Sequence, residues 1–288
     1  MRKKGYIKSV AVEFGQLRRS KTQALNTQTT APSLGISAQL QSNQFTQPPT
    51  STSTVHNSDT MAPKKVLVVL TSHDKIDAID RSSGWYLPEF AHPYHVLSGK
   101  NVEITVVSPK GGVAPLDPAS IELTKEDPIS VGFLNNNKSL WENTLPLKQF
   151  AGRSGDFDAI FYPGGHGPMF DLVDDADSIA LIEEFYNAGK VVSAVCHGTI
   201  ALVNAKVNGE PLLKGKEVTG FTNAEEDAVQ LTSAMPFLVE DRVNAVGGKF
   251  VQTAVFGNKV VVDGNLITGQ NPTSASDLGE ALAKAIGA

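Results

Sequence analysis

The sequence predicts an α/β fold of the flavodoxin-like type, a three-layer sandwich in which a mostly parallel central sheet carries helices on both faces. Two observations lead to this prediction. From Lys65 onward, short apolar runs rich in β-branched residues alternate with longer segments that carry apolar residues at helical spacing. Several of these runs are apolar at nearly every position, which is typical of parallel strands that are buried on both sides.

The individual elements follow from the same pattern. The predicted interior or near-interior strands are residues 66–70, 102–107, 158–162, 191–195, 217–219, 260–262 and 266–268. The predicted helices are residues 85–97, 178–188, 197–203, 224–231, 236–244 and 274–286. Residues 111–154 are rich in Pro, Asn and Gly, and we expect them to form a small, irregular excursion that packs on the main sheet.

Composition limits the classes of function. With 25 Lys and Arg against 30 Asp and Glu, the net charge is −5, which argues against a nucleic-acid groove. No uninterrupted apolar stretch approaches the ~20 residues of a membrane-spanning helix, so we expect neither nucleic acid nor membrane as a partner. The single cysteine cannot form an intramolecular disulfide bond, and a reactive thiol persists best in a reducing compartment. We therefore expect a cytoplasmic protein, with the nucleus as an alternative.

Residues 1–60 differ from the rest in composition. They are basic, poor in acidic residues and rich in Ser, Thr and Gln, and they offer little apolar surface to bury. We expect this segment to be a disordered extension and the folded domain to comprise residues 62–288. The composition is that of an organelle transit peptide, which would direct the protein to mitochondria. Met61, shortly before the first strand, equally favours an upstream extension from another start site.

Cys196 is the strongest candidate for a catalytic residue. It ends the apolar run 191–195 and is followed by His197 and Gly198, where a predicted strand changes into a helix. A side chain at that point projects above the carboxyl edge of the sheet, and the positive end of the helix dipole favours a thiolate. The alternative is a small buried cysteine without a chemical role, but Cys196 ends the apolar run instead of lying inside it.

Two further segments are expected at the same edge of the sheet. Glu89 lies among aromatic and aliphatic neighbours, where a carboxyl group with a raised pKa could exchange protons with a thiol; a surface acid near a helix start is the alternative. A turn directly after a predicted strand contains Gly164, Gly165 and His166. Its backbone N–H groups are expected to form an oxyanion hole with the amide of His197. His166 either lines the substrate pocket or has a structural role.

A third segment offers two acids. After the strand 217–219, Asn223 is a candidate helix cap with Glu226 at the capping-box position. Alternatively, Glu225 or Glu226 accepts a hydrogen bond from the ring of His197 and completes a Cys–His–acid triad. In that case we expect Glu226→Gln to lose activity and Glu225→Gln to retain it.

No metal or other cofactor is predicted. His92 and His95 are close in sequence, but no further residues match them at the spacing of a zinc site. No histidine follows His197 in the chain. A class I glutamine amidotransferase takes its histidine from far downstream of the cysteine, so ammonia transfer from glutamine is disfavoured.

Four separated motifs resemble the ThiJ/PfpI superfamily, which has the class I glutamine amidotransferase-like fold. They are residues 194–198, residues 163–169, Glu89…His92-Pro93-Tyr94 and residues 268–272, and they occur in the family's order. The resemblance extends over about residues 62–288 and is strongest to the glyoxalase III branch, which includes the HchA-like chaperones. It implies that Cys196 is the nucleophile and His197 its adjacent base. It also implies that Glu89 is the acid beside the thiol and Glu226 the triad acid.

The resemblance implies a cofactor-independent lyase of the glyoxalase III type. Its substrate would be methylglyoxal, a small 2-oxoaldehyde, which it would convert to lactate through a hemithioacetal on Cys196 and without glutathione. Repair of glycated groups, as by a protein deglycase, and a stress-response chaperone are alternatives. A cysteine peptidase or amidase is less favoured, and a homodimer is left open.

Overall fold

The computed structural model describes residues 62–288, and the predicted extension, residues 1–60, lies outside the described residues. Within the described part the strands, in chain order, are β1 (Lys65–Val69), β2 (Lys75–Ile76), β3 (Arg81–Ser82), β4 (Glu103–Ser108), β5 (Leu145–Pro146), β6 (Ala159–Tyr162), β7 (Val191–Val195), β8 (Lys206–Val207), β9 (Glu210–Pro211), β10 (Glu217–Val218), β11 (Lys249–Phe250), β12 (Val260–Asp263) and β13 (Leu266–Gly269). The α-helices are α1 (Leu87–Gly99), α2 (Pro118–Leu123), α3 (Pro128–Asn136), α4 (Ser139–Glu142), α5 (Ala176–Asn187), α6 (Asn223–Ala228), α7 (Val239–Ala245) and α8 (Ala275–Ile286).

A seven-stranded sheet forms the centre of the domain, in the order β12-β13-β7-β6-β1-β4-β5. Neighbouring strands are parallel, except for the antiparallel hairpin β12–β13 at one edge. In the middle of the sheet, Val66 of β1 pairs with Ile104 on one side and Ala159 on the other. The predicted mostly parallel sheet is thus confirmed.

Alternate residues of the central strands face opposite sides of the sheet, as a period of two requires. Val66 and Val68 of β1 join a core cluster that also contains residues of α1 and α8. Leu67 and Val69 join a second cluster with residues of α5 and α7. Helices therefore cover both faces, which confirms the predicted three-layer sandwich.

The segment 111–154 is more regular than predicted. It packs on the sheet, since β5 pairs with β4 and the ring of Trp141 packs on that of Trp85 at 5.4 Å between centroids. It nevertheless contains the three helices α2, α3 and α4. Two of the prolines that suggested irregular chain, Pro118 and Pro128, stand in the first helical turn, where proline is tolerated because the N–H there has no intrahelical partner.

The strand predicted at 217–219 does not belong to the central sheet. It is the two-residue strand β10, which pairs with β11 in a separate two-stranded sheet. The backbone N–H of Thr219 donates to the side-chain Oγ1 of Thr268 in β13, at 3.0 Å, instead of to a backbone carbonyl. Both edges of β13 are already paired, one with β12 and the other with β7, so the backbone of β13 offers no ladder position to β10.

The carboxyl ends of β1, β6 and β7 lie next to each other at one edge of the sheet. The loops that follow these strands lead to the candidate site residues, as expected for a ligand site in an open α/β sheet. Within residues 62–288, no helix combines the length and the apolar character that crossing a membrane requires.

Candidate active site

Cys196 lies at a sharp turn at the end of β7. Every residue of β7 is buried, and Cys196, directly after it, has a φ of 58°, in the left-handed region. For a residue other than glycine this conformation costs about 1–3 kcal/mol, and it is concentrated at active sites. A Cβ at Gly198 would lie 2.2 Å from the carbonyl oxygen of Tyr162, so only glycine allows the turn to approach the end of β6 this closely.

The helix that begins at this turn, Cys196–Leu202, is a 3₁₀ helix. The prediction of an α-helix at 197–203 was therefore wrong in type. The 3₁₀ helix is the narrower of the two and fits the restricted space beside β6. Because it has only seven residues and poorer hydrogen-bond geometry, its helix dipole favours a thiolate at Cys196 less than the dipole of the predicted helix would. The electrostatic environment of the thiol is set mainly by burial and by neighbouring side chains.

Cys196, His197 and Glu226 form a hydrogen-bonded chain. The Cys196 Sγ lies 3.3 Å from Nδ1 of His197, and His197 Nε2 lies 2.6 Å from Oε2 of Glu226. Because a carboxylate only accepts, the imidazole proton is on Nε2, and Nδ1 presents a lone pair to the thiol. All three side chains are buried. This is the geometry of a nucleophile, a base and an acid that orients the base.

The charge state of His197 suits a base. Burial lowers the pKa of His197 to about 4, and the nearby His166 acts in the same direction, while Glu226 opposes both. Burial raises the pKa of Glu226, but His166 and His197 outweigh that effect and leave it well below its usual range. At neutral pH the pair therefore consists of a neutral imidazole and an ionised carboxylate.

Glu225 caps helix α6. Thr222 is the residue before the helix, and its hydroxyl accepts from the Glu225 N–H while the Glu225 carboxylate accepts from the Thr222 N–H, which is a capping box. The cap predicted at Asn223 with Glu226 was therefore wrong by one residue. This shift leaves Glu226 free to reach His197, so of the two predicted acids it is Glu226 that the structure brings to the histidine.

Glu89 brings a second carboxyl group to the sulfur. It lies in the first turn of α1, is fully buried, and accepts at Oε2 from the N–H of Gly164, at 2.8 Å. Burial raises the pKa of Glu89 to about 8, although hydrogen bonds from Cys196 and Gly164 oppose this shift. Its other oxygen, Oε1, is buried and has no hydrogen-bond partner of good geometry among the described residues, and Cys196 is the side chain whose hydrogen bond to this carboxyl group affects its pKa. At neutral pH Glu89 therefore carries a proton.

The thiol itself is not a strong acid in this environment. Burial raises the pKa of Cys196 well above its usual value, and the charge and hydrogen bond of Glu89 act in the same direction, while the backbone N–H of His197 opposes them. The effect of Glu89 depends on its ionisation. When Glu89 holds a proton, its charge no longer disfavours the thiolate, and its O–H can donate to sulfur.

The three predicted residues of the glycine-rich turn have different surroundings. Gly164 does not line the cavity, because its N–H is used by Glu89 and a Cβ would lie 2.7 Å from both that carboxylate and the Val195 carbonyl oxygen. Gly164 is therefore a structural contact and not the oxyanion donor expected from the sequence. Gly165, with φ of 92°, does line the cavity. Of the residues whose backbone N–H groups were expected at an oxyanion, Gly165 and His197 both line the cavity.

His166 belongs to the same network, which the sequence did not reveal. Its Nε2 lies 2.9 Å from Oε1 of Glu226, and its ring centroid is 4.1 Å from that of His197. Each carboxylate oxygen of Glu226 thus accepts a hydrogen bond from one histidine. The position of His166 in the glycine-rich turn suggested a pocket residue, but no spacing rule connects it to an acid 60 positions later.

These side chains surround a small cavity of about 30 Å³. Its walls are Tyr86, Glu89, Gly165, His166, Cys196, His197, Phe221, Val229, Phe256 and Pro272. The polar groups cluster around the sulfur, and the remaining walls are aromatic or aliphatic. Sequence reasoning missed Tyr86, Val229 and Phe256 as wall residues, whereas Pro272 is part of the motif 268–272.

His166, His197 and Glu226 also have the donor atoms of a metal site, all within 4.8 Å of one another. In their present arrangement, two imidazole N–H groups donate to one carboxylate, and this accounts for their proximity. His92, by contrast, is paired with Asp127 at 2.7 Å. The expectation that the protein uses no metal stays a prediction.

Comparison with known protein families identifies the family of this chain. The sequence model of the DJ-1/PfpI family matches residues 83–285. The chain belongs to the DJ-1/PfpI family. The predicted resemblance to the ThiJ/PfpI superfamily is thereby confirmed, and the three-layer fold is that of a DJ-1/PfpI domain.

The sequences of individual relatives align with most of this DJ-1/PfpI chain. The glutathione-independent glyoxalase HSP31 of Saccharomyces cerevisiae is 32% identical over 229 residues, which are 75% of this chain and 94% of the relative. The protein/nucleic acid deglycase HchA of Pseudomonas aeruginosa is 25% identical and covers 77% of this chain and 81% of its own. These relatives are enzymes by name, which supports an enzymatic role for this chain.

Two solved structures have the same fold. That of glyoxalase III from Candida albicans has a TM-score of 0.69 at 29% identity and covers 77% of this chain and 97% of its own. The structure of the rapid encystment protein of 24 kDa from Francisella tularensis has a TM-score of 0.73 at 37% identity and covers 77% of this chain and 99% of its own.

Proposed function

We propose that this chain is a glutathione-independent glyoxalase that converts methylglyoxal to lactate. The observation that carries the proposal is the chain from Cys196 through His197 to Glu226, with the carboxyl group of Glu89 also against the sulfur. This arrangement supplies a nucleophile, a base held in one tautomer and a protonated acid. The named glyoxalases among its relatives cover about three quarters of the chain.

The first step is addition of sulfur to the aldehyde carbon C1. His197 Nδ1 accepts the thiol proton as the C–S bond forms, and the ionised Glu226 stabilises the imidazolium. The oxygen of C1 becomes an oxyanion that accepts from the N–H groups of Gly165 and His197. Proton transfer from the imidazolium to this oxygen gives the hemithioacetal and restores neutral His197.

The second step moves a hydrogen from C1 to C2. His197 removes the C1 proton, and the protonated Glu89 donates its proton to the oxygen of C2, which gives an enediol. His197 then returns its proton to C2, and the hydroxyl on C1 gives its proton back to Glu89. The product is a lactoyl thioester, and both acid–base groups have regained their starting states.

The last step is hydrolysis. Water adds to the thioester carbonyl with His197 as the base, the C–S bond breaks, and the proton returns to the sulfur as lactate leaves. Every proton is carried by a protein side chain or by water. The proposed enzyme is accordingly a lyase that needs neither metal nor glutathione.

The size of the cavity favours a free 2-oxoaldehyde over an adduct carried by a protein. Cys196 is 3% exposed and lines a small cavity of about 30 Å³, and a free 2-oxoaldehyde is the smaller of the two candidate substrates to bring to this buried sulfur. The relationship to a deglycase leaves that activity as a second candidate.

The experiment measures lactate from methylglyoxal in the absence of glutathione, in parallel with release of the adduct from a methylglyoxal-treated peptide. The proposal predicts turnover of the free aldehyde and little or no release from the peptide. Faster release from the peptide than turnover of the free aldehyde would reverse the assignment.

A further inference from the structure

Glu225, the neighbour of the triad acid, is fully buried, and the hydrogen bonds of its carboxyl group go to residues other than Cys196 and His197. Its carboxylate accepts five hydrogen bonds. Oε1 accepts from Phe256 N at 2.8 Å, Gln270 Nε2 at 2.9 Å and Asn271 Nδ2 at 2.7 Å. Oε2 accepts from the N–H and the hydroxyl of Thr222, at 2.9 and 3.0 Å. A single buried carboxylate thus joins three segments that are distant in sequence.

Each of these segments supplies a wall of the cavity. Phe256 is itself a wall residue, and Asn271 directly precedes another, Pro272. The helix capped by Glu225 carries Glu226, and Val229 follows it at its end. The contacts therefore connect the acid of the triad with the apolar side of the cavity.

The backbone at Phe256 needs this support. Its φ is 55°, a left-handed conformation that is unfavourable for an aromatic residue, and its N–H is held by Glu225. The adjoining loop is fixed by the same side chains, because Gln270 Oε1 accepts from Thr253 N and Asn271 Nδ2 donates to the carbonyl of Gly257. Strain of this kind persists only where surrounding contacts fix the conformation.

We propose that Glu225 is a positioning residue that holds Phe256 and Pro272 in place, and that these two side chains set the upper size limit of the aldehyde that reaches Cys196. The inference rests on the proposed glyoxalase function and specifies its substrate range as compact 2-oxoaldehydes. It also assigns a role to Gln270 and Asn271 in the motif 268–272, which the reaction itself does not use.

Because Cys196 is the single cysteine, the size limit set by Phe256 and Pro272 can be measured by alkylating its thiol, without any catalysis. We compare the rates at which Cys196 reacts with iodoacetamide, which is compact, and with N-phenylmaleimide, which is bulky, each relative to a small free thiol. The wild type should discriminate against the bulky reagent. Phe256→Ala should reduce that discrimination at least about tenfold, the scale on which a tight pocket rejects added apolar volume.

Glu225→Gln should act in the same direction, because the amide presents N–H hydrogens where donors already point. Asp227→Asn is the matched control: it makes the same acid-to-amide change on the same helix, at an exposed position, and should leave the discrimination unchanged. Asn271→Ala removes one of the five hydrogen bonds to Glu225 and should also reduce the discrimination. This variant replaces Glu225→Gln in the test if near-ultraviolet circular dichroism shows that Glu225→Gln does not fold.

Catalysis gives a second readout. The ratio of kcat/KM for phenylglyoxal to that for methylglyoxal should rise at least about tenfold in Phe256→Ala and should also rise in Glu225→Gln. A merely structural role would lower both values together and leave the ratio unchanged. Folded Phe256→Ala and Asn271→Ala proteins with wild-type alkylation discrimination would overturn the proposal. Expected alkylation rates in a protein that turns over neither aldehyde would instead refute the glyoxalase function and leave the size limit standing.

Discussion

Oε2 of Glu226 lies 2.6 Å from Nε2 of His197, so the imidazole proton is held on the side of the ring that faces away from Cys196. The remaining nitrogen, Nδ1, is 3.3 Å from the sulfur and can only accept there. This relationship determines the direction in which the first proton moves, from thiol to imidazole.

Glu226→Gln should therefore lower kcat by about 10³–10⁴-fold, the scale of losing the correct histidine tautomer. A glutamine amide can donate to Nε2 and turn Nδ1–H toward the sulfur. Steady-state kinetics on methylglyoxal test this, with Asp227→Asn as the acid-to-amide control. An activity within tenfold of wild type would show that the tautomer is not held by Glu226.

Glu225→Gln should also lose activity, contrary to the expectation from sequence, but for a different reason. The change puts amide N–H hydrogens where buried donors already point and leaves some of those donors without an acceptor, so we expect the free energy of unfolding to fall by at least about 2 kcal/mol. Denaturant unfolding of both variants separates the two effects, because Glu226→Gln should impair turnover far more than its stability explains.

Glu89→Gln should lower turnover at least about 100-fold, as expected for the loss of a general acid. It should also change how stability depends on pH. The pKa of Glu89 is raised by burial from its ordinary value of 4.5 to about 8, so the native state holds a proton that the unfolded state releases. The sign follows from proton linkage: this contribution to stability is complete below pH 4.5 and is lost as the pH rises toward 8.

Glutamine resembles the protonated acid and does not titrate. The stability of Glu89→Gln relative to wild type should therefore increase by a few kcal/mol between pH 4.5 and pH 9, measured by denaturant unfolding. A constant difference across this range would mean that Glu89 is ionised in the native protein and cannot serve as the acid.

His166→Asn tests the second histidine on Glu226. Burial is the main cause of the low pKa of His197, and His166 lowers it further. Removal of His166 should therefore raise the pKa of His197. Because the mechanism needs neutral His197, the acidic limb of the kcat–pH profile should move to higher pH. An unchanged acidic limb would show that His166 does not affect the pKa of His197.

The elements that could be predicted from sequence are those whose signal is local. The runs around β1 and β7 could be predicted as strands because parallel strands are buried on both faces, and the position of Cys196 at the end of β7 made it the candidate nucleophile. The cap of α6 was misplaced because Thr222–Glu225 and Asn223–Glu226 both satisfy the capping-box spacing, and only tertiary contacts choose between them.

The contacts that could not be predicted join distant segments. Glu225 meets Phe256 and Gln270 across 31 and 45 positions, through a loop that has no periodic pattern. The link from His166 to Glu226 is of the same kind. Such contacts depend on how loops fold over the sheet edge, so the polar centre of the site was visible in the sequence and most of its apolar walls were not.

The central claim is that the sulfur of Cys196 forms the covalent bond to the aldehyde. The most direct measurement combines lactate formation from methylglyoxal without glutathione with the intact mass of acid-quenched enzyme, for wild type and Cys196→Ala. We predict that wild type forms lactate and shows one added methylglyoxal unit during turnover, and that a folded Cys196→Ala protein shows neither. Lactate formation by Cys196→Ala at more than a few per cent of the wild-type rate would contradict the account.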